Sequence, residues 1–151
     1  CDFCKEFTSD IKKWDIAETS SGGPFQDILD HEILFNCVVS TPETPIFFHP
    51  NYIGSQRKLG VIGDIACDPD SDYNPIPIYS APTTWAKPGL NISSNPPLHL
   101  MAIDNLPSLL PKESSIDFAE QLFPYLMEFD KKHNKVWEKS KAIFKQKMLE
   151  V

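Results

Sequence analysis

The chain has 151 residues, of which 41% are hydrophobic, and its formal net charge at pH 7 is −7. A chain of this length can bury one hydrophobic core. No apolar run approaches the roughly 18 residues that a membrane-spanning helix needs, and the acidic balance disfavours binding to nucleic acid or to anionic lipid. We therefore expect no nucleic-acid or membrane partner, and a small molecule or another protein surface as the partner.

The chain contains four cysteines, Cys1, Cys4, Cys37 and Cys67. They do not make a disulfide framework in a chain of this size, so we expect a reducing compartment and place the protein in the cytoplasm. Cys1 and Cys4 have the spacing of a zinc knuckle, but the sequence has no second pair at similar spacing, so we predict no metal site. Cys37 lies in an apolar run and is interpreted as a small buried side chain.

The first predicted elements are a helix end and a short strand. Residues 1–7 have the pattern of neither a signal peptide nor a transit peptide, and we interpret them as the end of a helix. Residues 11–16 predict a strand, at whose end Asp15 enters a polar loop that contains glycine. Dinucleotide-binding sheets use such an acid to hold the ribose hydroxyls of NAD.

The position of Asp15 in the chain is informative as well. The glycine-rich phosphate turn of a dinucleotide-binding domain stands roughly 20 residues before the ribose acid. Here 14 residues precede Asp15, and the chain begins with cysteine instead of methionine. We therefore expect that an N-terminal part of the domain is missing from this sequence.

Three apolar runs, at residues 33–39, 58–66 and 98–103, predict buried strands. Continuous apolar runs are typical of parallel strands that are covered on both faces. Between them, residues 25–30 predict a helical turn, and three prolines exclude a regular element at residues 41–50. Ligands of such sheets bind beyond the carboxyl ends of the strands. We therefore expect one crevice lined by residues 15–19, 39–41, 65–67 and 103–106.

The pattern becomes helical from Pro111 onward. Apolar residues recur every three or four positions over residues 112–130 and, less strictly, over residues 134–151. Ser114 or Ser115 is expected to cap the first of these helices. The lysines of the last helix are interpreted as a solvated face. The predicted fold class is α/β: an incomplete, Rossmann-like open parallel sheet, followed by C-terminal helices.

Six short strings follow one another along the chain: WDI at residues 14–16, ETS at 18–20, GGPF at 22–25, NC at 36–37, NPIPIY at 74–79 and IDNLPSLLP at 103–111. In order and spacing they closely resemble saccharopine dehydrogenase of the NAD-dependent, L-lysine-forming type, and the last two strings are the most specific. The resemblance implies oxidative cleavage of saccharopine by NAD to L-lysine and 2-oxoglutarate, in the α-aminoadipate pathway of lysine biosynthesis. It also implies two Rossmann-like domains with a cleft between them. Residues 1–111 then resemble the latter part of the NAD-binding domain, and residues 112–151 resemble a helical tail that returns to the missing N-terminal substrate domain.

The resemblance assigns cofactor contacts to eight residues. Asp15 is similar to the acid that binds the adenosine ribose, with Thr19 beside it, and its charge favours NAD over NADP. Val39 and Ile65 match positions at the adenine and nicotinamide ends of the cofactor, although the family often has an aromatic residue in place of Val39. A further segment matches the one that meets the nicotinamide half, and it consists of Ile103, Asp104, Asn105 and Leu106.

Other readings of these residues stay open. Asp15 fits a surface acid at a strand end, Val39 and Ile65 fit core positions of a buried sheet, and Asp104 fits a cap of the following turn. The lysine and histidine that catalyse the family reaction belong, by resemblance, to the missing domain. The histidines of this chain, His31, His49, His99 and His133, form no dyad by spacing, and Arg57, its single arginine, is expected far from the strand ends.

We therefore predict part of an NAD site and no complete active site. Two alternatives remain. One is the lysine-ketoglutarate reductase module of a bifunctional lysine-degrading protein, which uses NADPH and which Asp15 argues against. The other is a non-catalytic nucleotide-binding module.

Overall fold

The computed structural model describes residues 3–131 and 134–149. The chain forms two compact units, Cys1–Asp104 and Asn105–Val151. The first unit contains an open, mostly parallel sheet, and the second contains the C-terminal helices. This architecture confirms the predicted fold class, an incomplete Rossmann-like α/β fold.

The sheet of the first unit has four strands within the described residues: β1 (Ile33–Asn36), β2 (Val61–Asp64), β3 (Leu90–Ser94) and β4 (Pro97–Met101). Their spatial order is β1-β2-β4-β3. β2 pairs in parallel with β1 on one side and with β4 on the other, whereas β3 pairs antiparallel with β4 at the edge. The carboxyl ends of β1, β2 and β4 therefore lie along one edge of the sheet, which we call the carboxyl edge.

One face of the sheet packs on the core. Leu34, Ile62 and Leu100 are neighbours in the strand register, and Ile62 and Leu100 are fully buried. Side chains alternate between the two faces of a strand, and the adjacent register positions Ile33 and Val61 are exposed. The expectation that the strands are covered on both faces is therefore wrong for the described residues.

Arg57 joins the amino ends of the strands, at the edge opposite the carboxyl edge. Its guanidinium donates hydrogen bonds of 2.8 Å to the carbonyls of Pro96 and Pro97 and one of 3.1 Å to that of Ile53, and it also bonds the carbonyl of Leu59. Pro97 begins β4, and Leu59 lies just before β2. Arg57 is thus a structural residue far from the carboxyl ends of the strands, as expected.

The predicted strand at residues 11–16 is wrong. Residues 11–15 have no regular structure, and Ile16 begins the one-turn helix α1 (Ile16–Thr19). A strand is held by a hydrogen-bond ladder to a neighbour, and no strand within the described residues pairs with this segment. Asp15 therefore ends no strand and begins a helix instead.

Several predicted elements are present with shorter limits. β1 and β2 are shorter than their predicted runs, and β4 begins one residue before its run and ends at Met101. Cys37, which was expected to be buried, follows β1 and is exposed. The predicted turn at residues 25–30 is a 3₁₀ helix, Gln26–Asp30, and residues 41–49 have no regular structure, as expected. The expected helix end at residues 1–7 is a 3₁₀ helix, Phe3–Glu6, with Cys1 and Asp2 outside the described residues.

The second unit contains the two predicted helices, α2 (Pro111–Leu126) and α3 (Lys135–Met148), preceded by a 3₁₀ helix, Leu106–Leu109. The predicted cap at Ser114 or Ser115 is wrong, because α2 already begins at Pro111, a residue suited to a first helical position. The side chain of Asn134 caps α3. Within the described ranges, every helix is too short or too polar to cross a membrane.

Candidate functional site

Asp15 is an exposed residue that caps α1. Its Oδ1 accepts a hydrogen bond of 2.7 Å from the backbone N–H of Ile16, and Glu18 Oε2 accepts one of 2.7 Å from the N–H of Asp15. The two side chains form a capping box, in which the Asp15 carboxylate also accepts from the N–H of Glu18. A carboxylate offers about four acceptor positions, so Asp15 keeps capacity for an external hydroxyl.

Thr19 lies on the same turn of helix as Asp15. Its hydroxyl donates a hydrogen bond of 3.0 Å to the Asp15 carbonyl, and its side chain is half-buried. The structure thus brings these two predicted ribose-binding residues together on α1.

Aromatic contacts hold the segment before α1 against the core. The ring centroids of Trp14 and Phe25 are 5.3 Å apart, and those of Phe25 and Phe47 are 5.6 Å apart. Gly23 permits this arrangement, because a Cβ at this position would lie 1.9 Å from the backbone oxygen of Ile46. The Gly-Gly-Pro-Phe segment therefore packs closely on the loop after β1 and fixes the start of α1.

Asp64, the last residue of β2, is a buried carboxylate with 1% of its surface exposed. Its Oδ1 accepts hydrogen bonds from Asn36 Nδ2 at 2.9 Å and from the N–H of Cys67 at 3.2 Å. Its Oδ2 accepts a bond of 2.8 Å from the Tyr79 hydroxyl. A buried charge is costly unless it is hydrogen-bonded, and these neutral donors offset that cost. We call Asn36, Asp64, Cys67 and Tyr79 the strand-end cluster.

Backbone bonds connect β1 and β2 beside this cluster. The carbonyl of Asn36 accepts hydrogen bonds from the N–H groups of Ile65 at 2.9 Å and Ala66 at 3.3 Å. The loops that leave β1 and β2 are therefore joined to each other immediately beyond the strands.

A second set of bonds reaches the end of β4. Cys67 Sγ donates to the carbonyl of Ala102 at 3.1 Å. Thr83 donates its N–H to the same carbonyl at 2.8 Å, and its hydroxyl accepts from the N–H of Ala102 at 3.0 Å. The cluster and its neighbours thus connect the carboxyl ends of all three parallel strands.

The Tyr79 hydroxyl and the Cys67 thiol of the cluster are both held in the neutral, protonated form. Burial, together with the hydrogen bond to Asp64, raises the pKa of Tyr79. Burial raises the pKa of the Cys67 thiol, and the charges of Asp104 and Asp64 raise it further. Tyr79 and Cys67 therefore stay protonated and act as hydrogen-bond donors at neutral pH.

The three apolar residues predicted to contact the cofactor differ in their exposure. Val39, in the loop after β1, is 89% exposed, and Ile65, directly after β2, is 37% exposed. The alternative that Val39 is a core residue is therefore wrong, because its side chain is exposed. That side chain is available to a ligand. Ile103 is 5% exposed and lies in a bridge with Thr83, so it packs as a core residue.

The polar residues after β4 do not form a side-chain cap. Asp104 is exposed, and its charge acts on the Cys67 thiol, so it lies near the cluster. The following 3₁₀ helix has Asn105 at its N-cap position, with a left-handed φ of 51° and no side-chain cap bond. The alternative that Asp104 caps this turn is therefore not supported. Asn105 and the half-buried Leu106 belong to the second unit.

Six of the eight predicted site residues form three groups, and the other two, Asn105 and Leu106, belong to the second unit. Asp15 and Thr19 share α1, and Val39 stands alone in the loop after β1. Ile65, Ile103 and Asp104 lie around Cys67 and Ala102, at the ends of β2 and β4.

The strand-end cluster was missed as a set of functional candidates. Its sequence signals are single polar residues in apolar surroundings: Asn36 within the run of β1, Asp64 within the run of β2, and Tyr79 after the Pro-flanked isoleucines. Each signal is weak alone, because the local sequence does not show that these side chains contact one another in the fold.

The described residues offer no group of three or more histidine, cysteine or acidic side chains that could hold a metal ion. Cys1, half of the zinc-knuckle spacing, lies outside those residues, as does His133. His49 has a structural role, because its Nδ1 accepts a hydrogen bond of 3.1 Å from the N–H of Asn51 at the start of the 3₁₀ helix Pro50–Tyr52.

The fold and the strand ends together define a Rossmann-like α/β unit, the class in which ligands bind beyond the carboxyl ends of the strands. No family model matches the chain. Saccharopine dehydrogenase (NAD(+), L-lysine-forming) of Neurospora crassa is 39% identical over 143 residues, which are 91% of this chain and 38% of that protein. The enzyme of the same name from Candida glabrata is 41% identical over 138 residues, 89% of this chain and 37% of that protein. The one from Schizosaccharomyces pombe is 39% identical over 139 residues, 89% of this chain and 38% of that protein.

These comparisons confirm the resemblance that the motifs indicate. Over nearly its whole length, the chain is similar to a part of the NAD-dependent, L-lysine-forming saccharopine dehydrogenases. The chain spans less than half the length of the curated relatives that it matches.

Proposed function

We propose that the chain is the C-terminal portion of an NAD-dependent saccharopine dehydrogenase and that it supplies part of the NAD site. The observation that carries the proposal is its similarity, over about nine-tenths of its length, to relatives named for this activity. The whole enzyme converts saccharopine, NAD⁺ and water to L-lysine, 2-oxoglutarate, NADH and a proton. The groups that transfer protons belong to the part of the enzyme outside this chain.

The exposed side chains at the strand ends fit a dinucleotide. NAD, when bound, accepts the hydride from the carbon beside the secondary amine of saccharopine. We assign to the Asp15 carboxylate the hydrogen bonds from the adenosine ribose, with Thr19 beside it. Val39 and Ile65 offer exposed apolar surface to the adenine and nicotinamide ends. Their exposure leaves both side chains accessible to a ligand.

The segment after β4 has a different role in the proposal. Ile103 to Leu106 meets the nicotinamide half of the cofactor. Ile103 is buried, whereas Asp104 and Asn105 are exposed and available to the ligand. The negative charge of Asp15 disfavours a 2′-phosphate, which supports NAD over NADP.

We further propose that residues 1–111 complete the NAD-binding domain and that residues 112–151 pack on the substrate domain of the same protein. The helices of the second unit expose large apolar side chains, among them Phe118, Phe123, Leu126, Phe144 and Met148. An extended exposed apolar surface indicates a missing partner. We assign the enzyme to the cytoplasm, a compartment suited to the free cysteines Cys4, Cys37 and Cys67.

The test is a rate measurement on the full-length protein and on residues 1–151. The full-length protein should form lysine and NADH from saccharopine and NAD, and it should react more slowly with NADP. The piece alone should show no turnover. Saccharopine oxidation by the isolated piece contradicts the proposal, and so does a preference for NADPH in the reverse reaction, which selects the lysine-ketoglutarate reductase module instead.

A further inference from the structure

We infer that Asp64 is a positioning residue for the dinucleotide, because its buried carboxylate holds together the chain segments that carry Val39, Ile65 and Ile103. The inference rests on the proposed NAD-binding function. Asp64 itself is buried, so the proposal gives it no direct contact with the cofactor.

The first link runs from Asp64 to the loop after β1. Asn36 Nδ2 donates to Asp64 Oδ1 at 2.9 Å, and Asn36 Oδ1 accepts from the N–H of Val38 at 3.4 Å. The Asn36 side chain therefore bridges the buried carboxylate and the residue next to Val39. A displacement of Asp64 is transmitted through one side chain to this loop.

The second link runs to the loop after β2. The N–H of Cys67 donates to Asp64 Oδ1 at 3.2 Å, and Cys67 has a left-handed φ of 43°, which a residue other than glycine rarely adopts. Asp64 thus stabilises a tight turn, Asp64 to Cys67, that projects Ile65 from the edge of the sheet.

The third link runs to the end of β4. Tyr79 donates to Asp64 Oδ2 at 2.8 Å, and four residues later Thr83 makes its two bonds to Ala102. Cys67 Sγ reaches the same Ala102 carbonyl. Two routes therefore lead from Asp64 to the residue before Ile103.

The chemistry of Asp64 favours positioning over stability alone. A buried carboxylate costs desolvation, and an apolar side chain in its place is often as stabilising or more so. Hydrogen bonds are directional, however, whereas apolar contacts permit a segment to slide. Directional bonds from one side chain to three segments set the spacing of the loops to which the two ends of a dinucleotide bind.

The experiment measures the dissociation constant of NADH by fluorescence, in the full-length protein and in single variants, at a temperature at which each is folded. Tyr79→Phe keeps the ring and removes one link, and we expect about tenfold weaker NADH binding. Asp64→Asn is the conservative variant. Its amide oxygen can accept from Asn36 and Cys67 while its NH₂ group donates to the Tyr79 hydroxyl, so we expect binding within about twofold of the wild type.

Arg57→Met is the matched control, because Arg57 connects β2 and β4 at the opposite edge of the sheet. It should lower the melting temperature and leave the NADH dissociation constant unchanged. A Tyr79→Phe protein that melts lower but binds NADH as tightly as the wild type overturns the positioning role. Equal weakening by Arg57→Met and Tyr79→Phe also overturns it, because the effect is then one of stability. A wild-type protein that binds no NADH overturns the proposed function itself.

Discussion

Replacing Asp15 by asparagine separates the charge of this side chain from its role as a helix cap. The carboxylate accepts from the N–H of Ile16 at 2.7 Å and takes part in a capping box with Glu18. Asparagine caps helices as well as aspartate does, so α1 should remain folded. The substitution therefore tests the proposed contact with the ribose of NAD.

The expected magnitude follows from the hydrogen bonds and charges involved. A hydrogen bond to a charged acceptor exceeds one between neutral groups by roughly 1 kcal/mol, so two ribose hydroxyls lose about 2 kcal/mol and NADH binds about thirtyfold more weakly. NADPH loses one such bond, because its 2′-hydroxyl is replaced by a phosphate. It also gains roughly 1.4 kcal/mol, because the repulsion between the Asp15 carboxylate and that 2′-phosphate, about 5 Å apart in water, is relieved. Its dissociation constant should change little, and the preference for NADH should fall by about fiftyfold.

The assay is fluorescence titration of the full-length Asp15→Asn protein with NADH and with NADPH. Glu18→Gln is the matched control, since it removes one negative charge from the same turn and keeps an acceptor for the N–H of Asp15. It should change both dissociation constants by less than about twofold, because Glu18 makes no proposed ligand contact. If the preference of Asp15→Asn for NADH over NADPH stays within about threefold of the wild type, the ribose contact is refuted. If Glu18→Gln loses as much of this preference as Asp15→Asn does, the effect is one of general charge and not of a ribose contact.

Three further predictions concern stability, each measured as the free energy of unfolding in urea. Gly23→Ala should destabilise the protein by about 2 kcal/mol or more, because the new Cβ lies 1.9 Å from the Ile46 oxygen. Gly54→Ala is the control, because the space around its Cβ is open. Equal losses of unfolding free energy in the two variants contradict the close packing of Gly23. Tyr79 has a raised pKa in the folded state, so the stability it contributes is complete below the unfolded pKa of about 10 and is lost as the pH rises above it. Tyr79→Phe should therefore show a smaller loss of stability between about pH 9 and 11 than the wild type, and an identical slope speaks against the buried hydroxyl. Leu100→Ala, at a fully buried position, should lower the free energy of unfolding by about 2–5 kcal/mol, whereas His99→Ala, on the exposed face, should lower it by less than about 0.5 kcal/mol. Similar losses in the two variants contradict the burial of Leu100 and the exposure of His99.

The apolar runs predicted the parallel strands because a continuous apolar run is a local signal, although it also predicted cover on both faces, and one face is exposed at Ile33 and Val61. β1 and β2 lie within those runs, and β4 overlaps the third run from Leu98 to Met101. β3 was missed because three of the five residues in its sequence, LNISS, are polar and it pairs only at the edge of the sheet. The strand predicted at residues 11–16 failed for a related reason, since a local pattern does not specify whether a neighbouring strand exists to complete the ladder.

The candidate site divides in the same way. Asp15 was recognisable because an acid in a polar, Gly-containing loop is a local pattern, even though it caps a helix instead of ending a strand. The strand-end cluster depends on contacts between distant residues: 28 positions separate Asn36 from Asp64, and 15 separate Asp64 from Tyr79. No periodicity records such contacts, so only the fold reveals them.

A crystal structure of the full-length protein with NAD bound measures the decisive distance, that between the Asp15 carboxylate and the adenosine ribose. We expect a carboxylate oxygen about 2.5–3.0 Å from a ribose hydroxyl, with the dinucleotide lying across the carboxyl edge beside Val39 and Ile65. A dinucleotide bound elsewhere, or a ribose beyond hydrogen-bond reach of Asp15, contradicts the proposed role of this chain.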